Sequence, residues 1–230
     1  HLLSRRQRQM CIRDRYNITI YLMLGGFMIK RIIFDIDGTL ITGVDFSSYV
    51  ANTLKKYGIE DIEKTKQFLL NIKEYEKTYN SYDRNLYLKF FGDKLGCELD
   101  NHFLEIFFQE LRKAIPENTE KIKSMLAAMN EYELVLLSNY FEESQRNRLT
   151  AMGINDYFSE YYGESIIKPN ELAYRQAQGI YQPSECVIVG DDKRLDIDVP
   201  KSLGFKTIYV NENGDIKRVE ELSPRLIKKL

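Results

Sequence analysis

Two aspartates separated by one residue, Asp35 and Asp37, are the strongest chemical signal in the chain. They follow a mostly apolar run over residues 31–34, which is typical of a buried parallel strand, and Gly38 then lets the chain turn sharply. Because ligands of open α/β sheets bind at the carboxyl ends of strands, one carboxylate can act there as a nucleophile and the other as an acid or base. A lone Asp-x-Asp more often closes a turn, but Gly38 and Thr39 favour catalysis.

Three later segments also end in polar residues where an apolar stretch or a loop stops. They are Leu134 to Leu137 followed by Ser138 and Asn139, Lys168 with Pro169, and Val187 to Gly190 followed by Asp191, Asp192 and Asp196. Together with the stretch from Asp35 to Thr39, these segments resemble, in the same order, the four motifs of the haloacid dehalogenase superfamily. The resemblance covers about residue 28 to the C-terminus, including the stretch 149–158.

The resemblance implies roles for the acidic residues. Asp35 is expected to attack phosphorus and form an aspartyl-phosphate, and Asp37 to act as general acid and then general base. Asp37 also argues against dehalogenation, since expulsion of halide needs no proton. Asp35, Asp191 and the backbone carbonyl of Asp37 are expected to bind Mg²⁺, which prefers hard oxygen ligands.

The remaining motif residues are expected to bind the phosphoryl group. Ser138 can hydrogen-bond a phosphoryl oxygen, Asn139 can add a backbone N–H near a helix start, and Lys168 can offset negative charge. Plain helix capping for Ser138 and Asn139, and a solvated surface position for Lys168, are the alternatives. Asp192 and Asp196 are candidates for orienting bound water or Lys168, with capping of a helix an equally good interpretation.

The pattern along the chain predicts an α/β fold with a Rossmann-like three-layer core around a parallel sheet and an inserted helical domain. Four apolar stripes at helical spacing lie within residues 42–115, which resemble the family's helical cap, while 28–41 and 116–230 form the core. We expect the cap aromatics to be the core of a small bundle, with Tyr82, Arg84, Tyr87 and Lys89 as possible substrate contacts. In the core, strands are predicted near 30–37, 133–138, 157–162, 185–190 and 205–210, and helices near 118–130, 141–152, 170–180, 197–203 and 217–229.

Residues 1–27 need a separate interpretation. Their Arg-rich stretch from Arg5 to Asp14 resembles the translated read-through of a sequencing adapter, so we expect a non-native extension and a natural start at Met28 or Met23. A signal peptide is disfavoured because no small-residue cleavage site precedes the first strand, and a nucleic-acid-binding arm because the stretch is short and isolated.

Composition and charge narrow the class of protein. Without residues 1–27 the 230-residue chain has 28 basic and 33 acidic residues, a net charge of −5, which gives no general attraction for nucleic acid. No apolar run reaches the ~20 residues needed to span a bilayer. The three cysteines are too few and scattered for a disulfide framework or a zinc site, which fits a reducing cytoplasm.

The motifs together predict a Mg²⁺-dependent phosphatase of a small phosphorylated metabolite. A phosphomutase of the β-phosphoglucomutase type would use the same residues, and a non-catalytic binding or regulatory module could use the same fold. The sequence leaves the substrate and the oligomeric state open.

Overall fold

A computed structural model describes residues 28–230, in which five parallel strands form one sheet. The strands are β1 (Arg31–Phe34), β2 (Glu133–Leu137), β3 (Glu160–Tyr162), β4 (Cys186–Gly190) and β5 (Lys206–Tyr209), in the spatial order β3-β2-β1-β4-β5. The central strand β1 is buried over its whole length, as its apolar sequence predicts.

The register of the sheet brings the motifs to one edge. Phe34 pairs with Leu136 of β2 on one side and with Val189 of β4 on the other. Because all three strands are parallel, the residues that follow them emerge together at the carboxyl edge. Asp35, Ser138 and Asp191 therefore become neighbours although they are far apart in sequence.

Four helices lie within the segment 42–115 that follows β1: α1 (Phe46–Lys56), α2 (Ile62–Tyr79), α3 (Arg84–Leu95) and α4 (Asn101–Leu111). Each has an aspartate as N-cap, namely Asp45, Asp61, Asp83 and Asp100, whose side chain accepts backbone N–H bonds of the first turn. Their apolar faces enclose a separate cluster rich in aromatic rings, including the stacked pair Phe68 and Phe91. The aromatics of this segment are thus the core of a helical bundle, as expected.

The remaining helices cover the two faces of the sheet. They are α5 (Thr119–Ala128), α6 (Glu142–Met152), α7 (Glu171–Gln178), α8 (Val199–Ser202) and α9 (Pro224–Ile227). One apolar cluster joins the sheet to α5 and α6, and another joins it to α7. The three-layer α/β class is confirmed. Cys186, the first residue of β4, is fully buried.

One predicted helix in the C-terminal part is wrong, and another is present but begins earlier than expected. The helix expected over 217–229 is a 3₁₀ turn, Val219–Glu221, followed by the separate α9. Pro224 cannot continue a helix because it has no N–H, and it takes the first position of α9, whose N-cap is Ser223. The helix expected over 197–203 begins earlier, with a π-helical segment, Lys193–Asp198, that leads into α8.

Among residues 28–230, none of the helices has the length and apolar character that a bilayer span requires.

Candidate active site

Lys168 is the centre of a buried ionic cluster at the carboxyl edge of the sheet. Its amine lies 2.8 Å from Oδ1 of Asp35 and 2.7 Å from Oδ1 of Asp196. All three residues are buried, with 4%, 7% and 1% of their surface exposed. The alternative of a solvated surface lysine is therefore excluded for Lys168.

One lysine does not neutralise the acidic groups around it. Burial raises the pKa of Asp35 to about 8, although the positive charge of Lys168 acts in the opposite direction. Burial also raises the pKa of Asp191, against a hydrogen bond from Thr39. Burial would lower the pKa of Lys168, but the neighbouring Asp35 and Asp196 raise it well above the ordinary value. With Asp35, Asp191 and Asp196 all ionised, the cluster would hold three negative charges against the one positive charge of Lys168, so a bound cation would favour the ionised carboxylates.

The oxygen donors at this edge fit a hard divalent cation. One carboxylate oxygen from each of Asp35, Asp191 and Asp196 lies within 4.8 Å of the others. Asp196, however, spends Oδ1 on Lys168 and Oδ2 on the backbone N–H of Asp192. Asp35 and Asp191 each keep one oxygen without a hydrogen-bond donor in residues 28–230. Two carboxylates with an excess of negative charge are a suitable protein share for Mg²⁺.

Asp192 and Asp196, left open by the sequence, have different positions. Asp192 is the N-cap of the π-helical segment, where its carboxylate accepts N–H bonds from Arg194 and Leu195, each at 2.8 Å. Asp196 is the residue that contacts Lys168. Gly190 makes this possible, because a β-carbon there would lie 2.3 Å from the Asp196 carboxyl carbon.

Ser138 and Asn139 follow β2 but serve different neighbours. Ser138 is 4% exposed, and its Oγ accepts a hydrogen bond of 3.2 Å from Gln145 on α6. The amide of Asn139 binds the backbone of Lys168 twice, donating to its carbonyl at 3.0 Å and accepting from its N–H at 2.8 Å. The side chain of Asn139 thus fixes the loop that carries Lys168, while α6 begins only at Glu142.

Asp37 lies beyond the strand, with 39% of its side chain exposed. Both of its oxygens accept from the buried guanidinium of Arg148, including a bond of 3.0 Å to Oδ2. The Asp37 carboxylate is not among the three that cluster around Lys168. Sequence analysis missed both Arg148 and Gln145, because α6 has no apolar stripe that would indicate which of its faces is buried.

The helical bundle reaches the site through Glu76 and Tyr82. The Tyr82 hydroxyl donates to Glu76 at 2.9 Å, and its backbone N–H donates to the carbonyl of Glu164 in the loop before Lys168 at 2.7 Å. Burial raises the pKa of Glu76 above its ordinary value, although hydrogen bonds from Tyr82 and from Asn139 act in the opposite direction. Glu76 was not among the bundle residues singled out from the sequence.

The four bundle residues that the sequence predicts as possible substrate contacts lie in different environments. Tyr82 and Tyr87 are buried in the aromatic cluster. Arg84 instead reaches out of the bundle and pairs with Glu143 on α6, so it ties the bundle to the core. Lys89 lies on α3 and is exposed.

Comparison with known proteins places these motifs in a family. A family model described as a haloacid dehalogenase-like hydrolase matches residues 29–204, more than half of the chain. The chain belongs to this family. The resemblance drawn from the four motifs is thereby confirmed.

Two curated relatives of this hydrolase family share only part of their length with the chain. N-acylneuraminate-9-phosphatase of Homo sapiens is 29% identical over 106 residues, and that of Rattus norvegicus is 28% identical over 108 residues. The chain covers 41% and 42% of these relatives, and the same shares of its own length are matched.

Solved structures of the family share the fold. The putative HAD-hydrolase YfnB from Bacillus subtilis, bound to magnesium, has a TM-score of 0.65 at 17% identity, covering 88% of this chain and 100% of that one. A HAD phosphatase from Thermococcus onnurineus has a TM-score of 0.54 at 25% identity, covering 86% and 98%. L-2-haloacid dehalogenase from Xanthobacter autotrophicus has a TM-score of 0.61 at 22% identity, covering 80% and 78%.

Proposed function

We propose that the protein is a Mg²⁺-dependent phosphatase that hydrolyses a small phosphorylated metabolite through an aspartyl-phosphate. The observation that carries the proposal is that the two aspartates at the end of β1, Asp35 and Asp37, lie in different environments. Asp35 is buried 2.8 Å from Lys168, while the side chain of Asp37 is 39% exposed and pairs with Arg148 instead. A buried nucleophile beside a cation, with an accessible acid two residues later, suits transfer of a phosphoryl group to and from the protein.

In the proposed first step, a carboxylate oxygen of Asp35 attacks phosphorus. The bond between phosphorus and the leaving oxygen breaks, and Asp37 donates its proton to that oxygen, so the alcohol departs neutral. Ser138 donates a hydrogen bond to a phosphoryl oxygen, and Lys168 offsets the charge that builds up. Asn139 contributes by holding the backbone of Lys168 in place.

In the second step, Asp37 takes a proton from water, and the water oxygen attacks phosphorus. The bond from phosphorus to Asp35 breaks, which restores the carboxylate and releases inorganic phosphate. Asp37 is thereby ready to donate a proton again. Asp37 gives one proton to the alcohol in the first step and takes one from water in the second, so the full cycle needs no outside acid or base.

Asp35, Asp191 and the backbone carbonyl of Asp37 are the proposed metal ligands. When bound, Mg²⁺ supplies positive charge next to the phosphoryl oxygens. Thr39 hydrogen-bonds Oδ1 of Asp191 at 3.1 Å and so orients that carboxylate. Asp196 is assigned to Lys168, and Asp192 to the π-helical segment.

We further propose that residues 42–115 are a cap domain and that 28–41 and 116–230 are the catalytic core. Glu76 and Tyr82 place polar atoms at the junction, which favours a leaving group with hydroxyls that can donate hydrogen bonds. The relatives named N-acylneuraminate-9-phosphatase support a sugar-like phosphomonoester. We also propose a reducing cytoplasm as the location of the protein, on the basis of its cysteine usage. The expected non-native extension at 1–27, with its Arg-rich stretch and Met23, lies outside the described residues, and the start at Met28 or Met23 stays a prediction.

The test is phosphate release from a panel of phosphomonoesters, including N-acylneuraminate 9-phosphate, hexose phosphates, phosphoglycolate and nucleotides. Release is expected with Mg²⁺, and it should disappear with EDTA and in Asp35→Asn. Isomerised product without free phosphate would instead indicate the phosphomutase. If no compound is converted and Asp35→Asn changes no measurable property, the proposal is wrong and a binding module is favoured.

A further inference from the structure

A chain of buried side chains joins Ser138 to Asp37 through helix α6. Gln145 donates from Nε2 to Ser138 Oγ at 3.2 Å, and its Oε1 accepts from Arg148 at 2.8 Å. The guanidinium of Arg148 also binds both oxygens of Asp37. Gln145 and Arg148 are each only 2% exposed, so water does not compete for these bonds. One helix face therefore contacts both the phosphoryl-binding group and the acid/base.

The donor-only guanidinium of Arg148 decides which group donates and which accepts in each hydrogen bond between Ser138 and Asp37. A guanidinium has only donors, so the amide of Gln145 must turn its oxygen toward Arg148 and its NH₂ toward Ser138. The Ser138 oxygen then has to accept from Gln145. Its own O–H proton is left over, and within residues 28–230 it is not donated to any protein group. That proton is available to a phosphoryl oxygen at the site.

The contact with Arg148 also leaves Asp37 able to transfer a proton. A carboxylate has about four acceptor positions, and the two-pronged contact with Arg148 occupies one on each oxygen. The outward positions remain for a proton and for the leaving oxygen or water. Arg148 therefore holds the plane of the carboxylate without blocking proton transfer.

We propose that Gln145 and Arg148 are positioning residues, which orient the Ser138 hydroxyl as a donor and the Asp37 carboxylate toward the leaving oxygen. The proposal rests on the phosphatase function proposed above. In this proposal, neither Gln145 nor Arg148 touches the substrate. Each acts through the group that it holds, so the two residues should affect different steps.

The first test reverses the direction of the hydrogen bond between residue 145 and Ser138. In Gln145→Glu the side chain only accepts, so Ser138 must donate to it and turn a lone pair toward the phosphoryl group. We expect affinity for inorganic phosphate, measured by calorimetry with Mg²⁺, to fall by about tenfold or more. In a Ser138→Ala background the same change should cost less than about twofold. An undiminished loss in that background would show a charge effect only and overturn the role of Gln145.

The second test separates Arg148 from general structural damage. In Arg148→Met, the burst of alcohol released in the first step should slow by about 100-fold for an alkyl phosphate, whose leaving oxygen needs a proton. With p-nitrophenyl phosphate, whose leaving group needs no proton, it should change by less than about fivefold. Arg148→Lys should recover part of the loss, because an ammonium still donates to Asp37. Equal losses on both substrates would overturn the positioning role.

Arg146→Met is the matched control. Arg146 lies on the same helix, is 43% exposed and pairs with Glu142 at 2.7 Å, away from the buried face. It should leave both substrates and phosphate binding unchanged. Thermal unfolding shows whether each variant is folded, and Arg148→Lys keeps the test open if Arg148→Met is not. If wild-type protein converts neither substrate, the phosphatase proposal fails and takes this inference with it; if only the variants behave otherwise, the phosphatase proposal stands.

Discussion

Gly38 and Asp191 approach each other so closely that a β-carbon on Gly38 would lie 2.1 Å from the Asp191 carboxylate oxygen Oδ2. Gly38 also has a φ of +88°, in the left-handed region that favours glycine. The glycine that follows the two aspartates therefore has two separate reasons to be there. One concerns the turn, and the other concerns the space needed by a proposed metal ligand.

Gly38→Ala should separate these two reasons when it is compared with Gly43→Ala. Both glycines have positive φ, but a β-carbon on Gly43 has nothing within 4 Å. Both variants should lose ~1–2 kcal/mol of unfolding free energy from backbone strain. Only Gly38→Ala should also lose about 100-fold in phosphate release, because Asp191 is displaced. Equal activity in the two variants would show that the close approach has no catalytic importance.

Asp196→Asn and Asp192→Asn should have unequal effects although they are the same chemical change. Asp196→Asn leaves Lys168 with one anionic partner instead of two and turns an NH₂ toward a buried donor, so we expect a loss of about 2 kcal/mol in stability. Activity should fall with it. Asn caps a helix as well as Asp does, so Asp192→Asn should cost less than ~0.5 kcal/mol. Denaturant unfolding of both proteins measures the difference, and a larger loss for Asp192→Asn would contradict these assignments.

Glu110→Gln should remove a pH-dependent stabilisation of the helical bundle. Burial acts to raise the pKa of Glu110, but hydrogen bonds from Lys113 and Lys56, at 2.6 and 2.5 Å, outweigh it and the pKa is lowered. A lowered carboxyl pKa means stability that is present above the unfolded-state value of ~4.5 and is lost as pH falls through the folded-state pKa.

At pH 7 we therefore expect Glu110→Gln to be less stable than wild type by about 1 kcal/mol, since both lysines are half-exposed and screened. The difference should shrink as unfolding is measured at lower pH, below ~4.5. Glu98→Gln, at an exposed position before α4, controls for the loss of one negative charge. A difference that grows toward low pH would contradict the expected sign.

Glu76→Gln should show the opposite trend. Burial raises the pKa of Glu76 above its ordinary value, so the folded protein favours the protonated form. Stability from this group is present below ~4.5 and is lost as pH rises through the folded-state pKa. Gln mimics the protonated acid, so the variant should gain stability relative to wild type as pH rises. If Glu76 also accepts from a substrate hydroxyl, KM should rise more than kcat falls.

The sheet and the motif residues were predictable because their signals are local. Asp35, Ser138 and Asp191 each follow a short apolar run, and parallel strands necessarily bring such positions to one edge. Their order along the chain resembles one family closely enough to indicate the fold. What periodicity and motif order do not contain is which polar group contacts which.

Helix α6 shows where sequence reasoning stops. Its first seven residues, from Glu142 to Arg148, are all polar, which is typical of a solvated helix. Ser144, Gln145 and Arg148 are nonetheless buried. They are buried because they pair with groups from distant segments, and no periodic pattern records such pairing. The same reason left Asp192 and Asp196 undistinguished, since both lie near a helix start.

The helical bundle begins and ends at nearly the same place. Its first helix, α1, packs against its last, α4, and the Tyr49 hydroxyl at one end reaches the carbonyl of Lys113 at the other. The chain thus leaves the central strand and returns to the core with almost no net displacement. An insertion of this kind is a modular unit: another helical segment with closely spaced ends could replace it while the strand order, and with it the catalytic edge, stayed the same. Selectivity and chemistry can therefore diversify separately in this architecture.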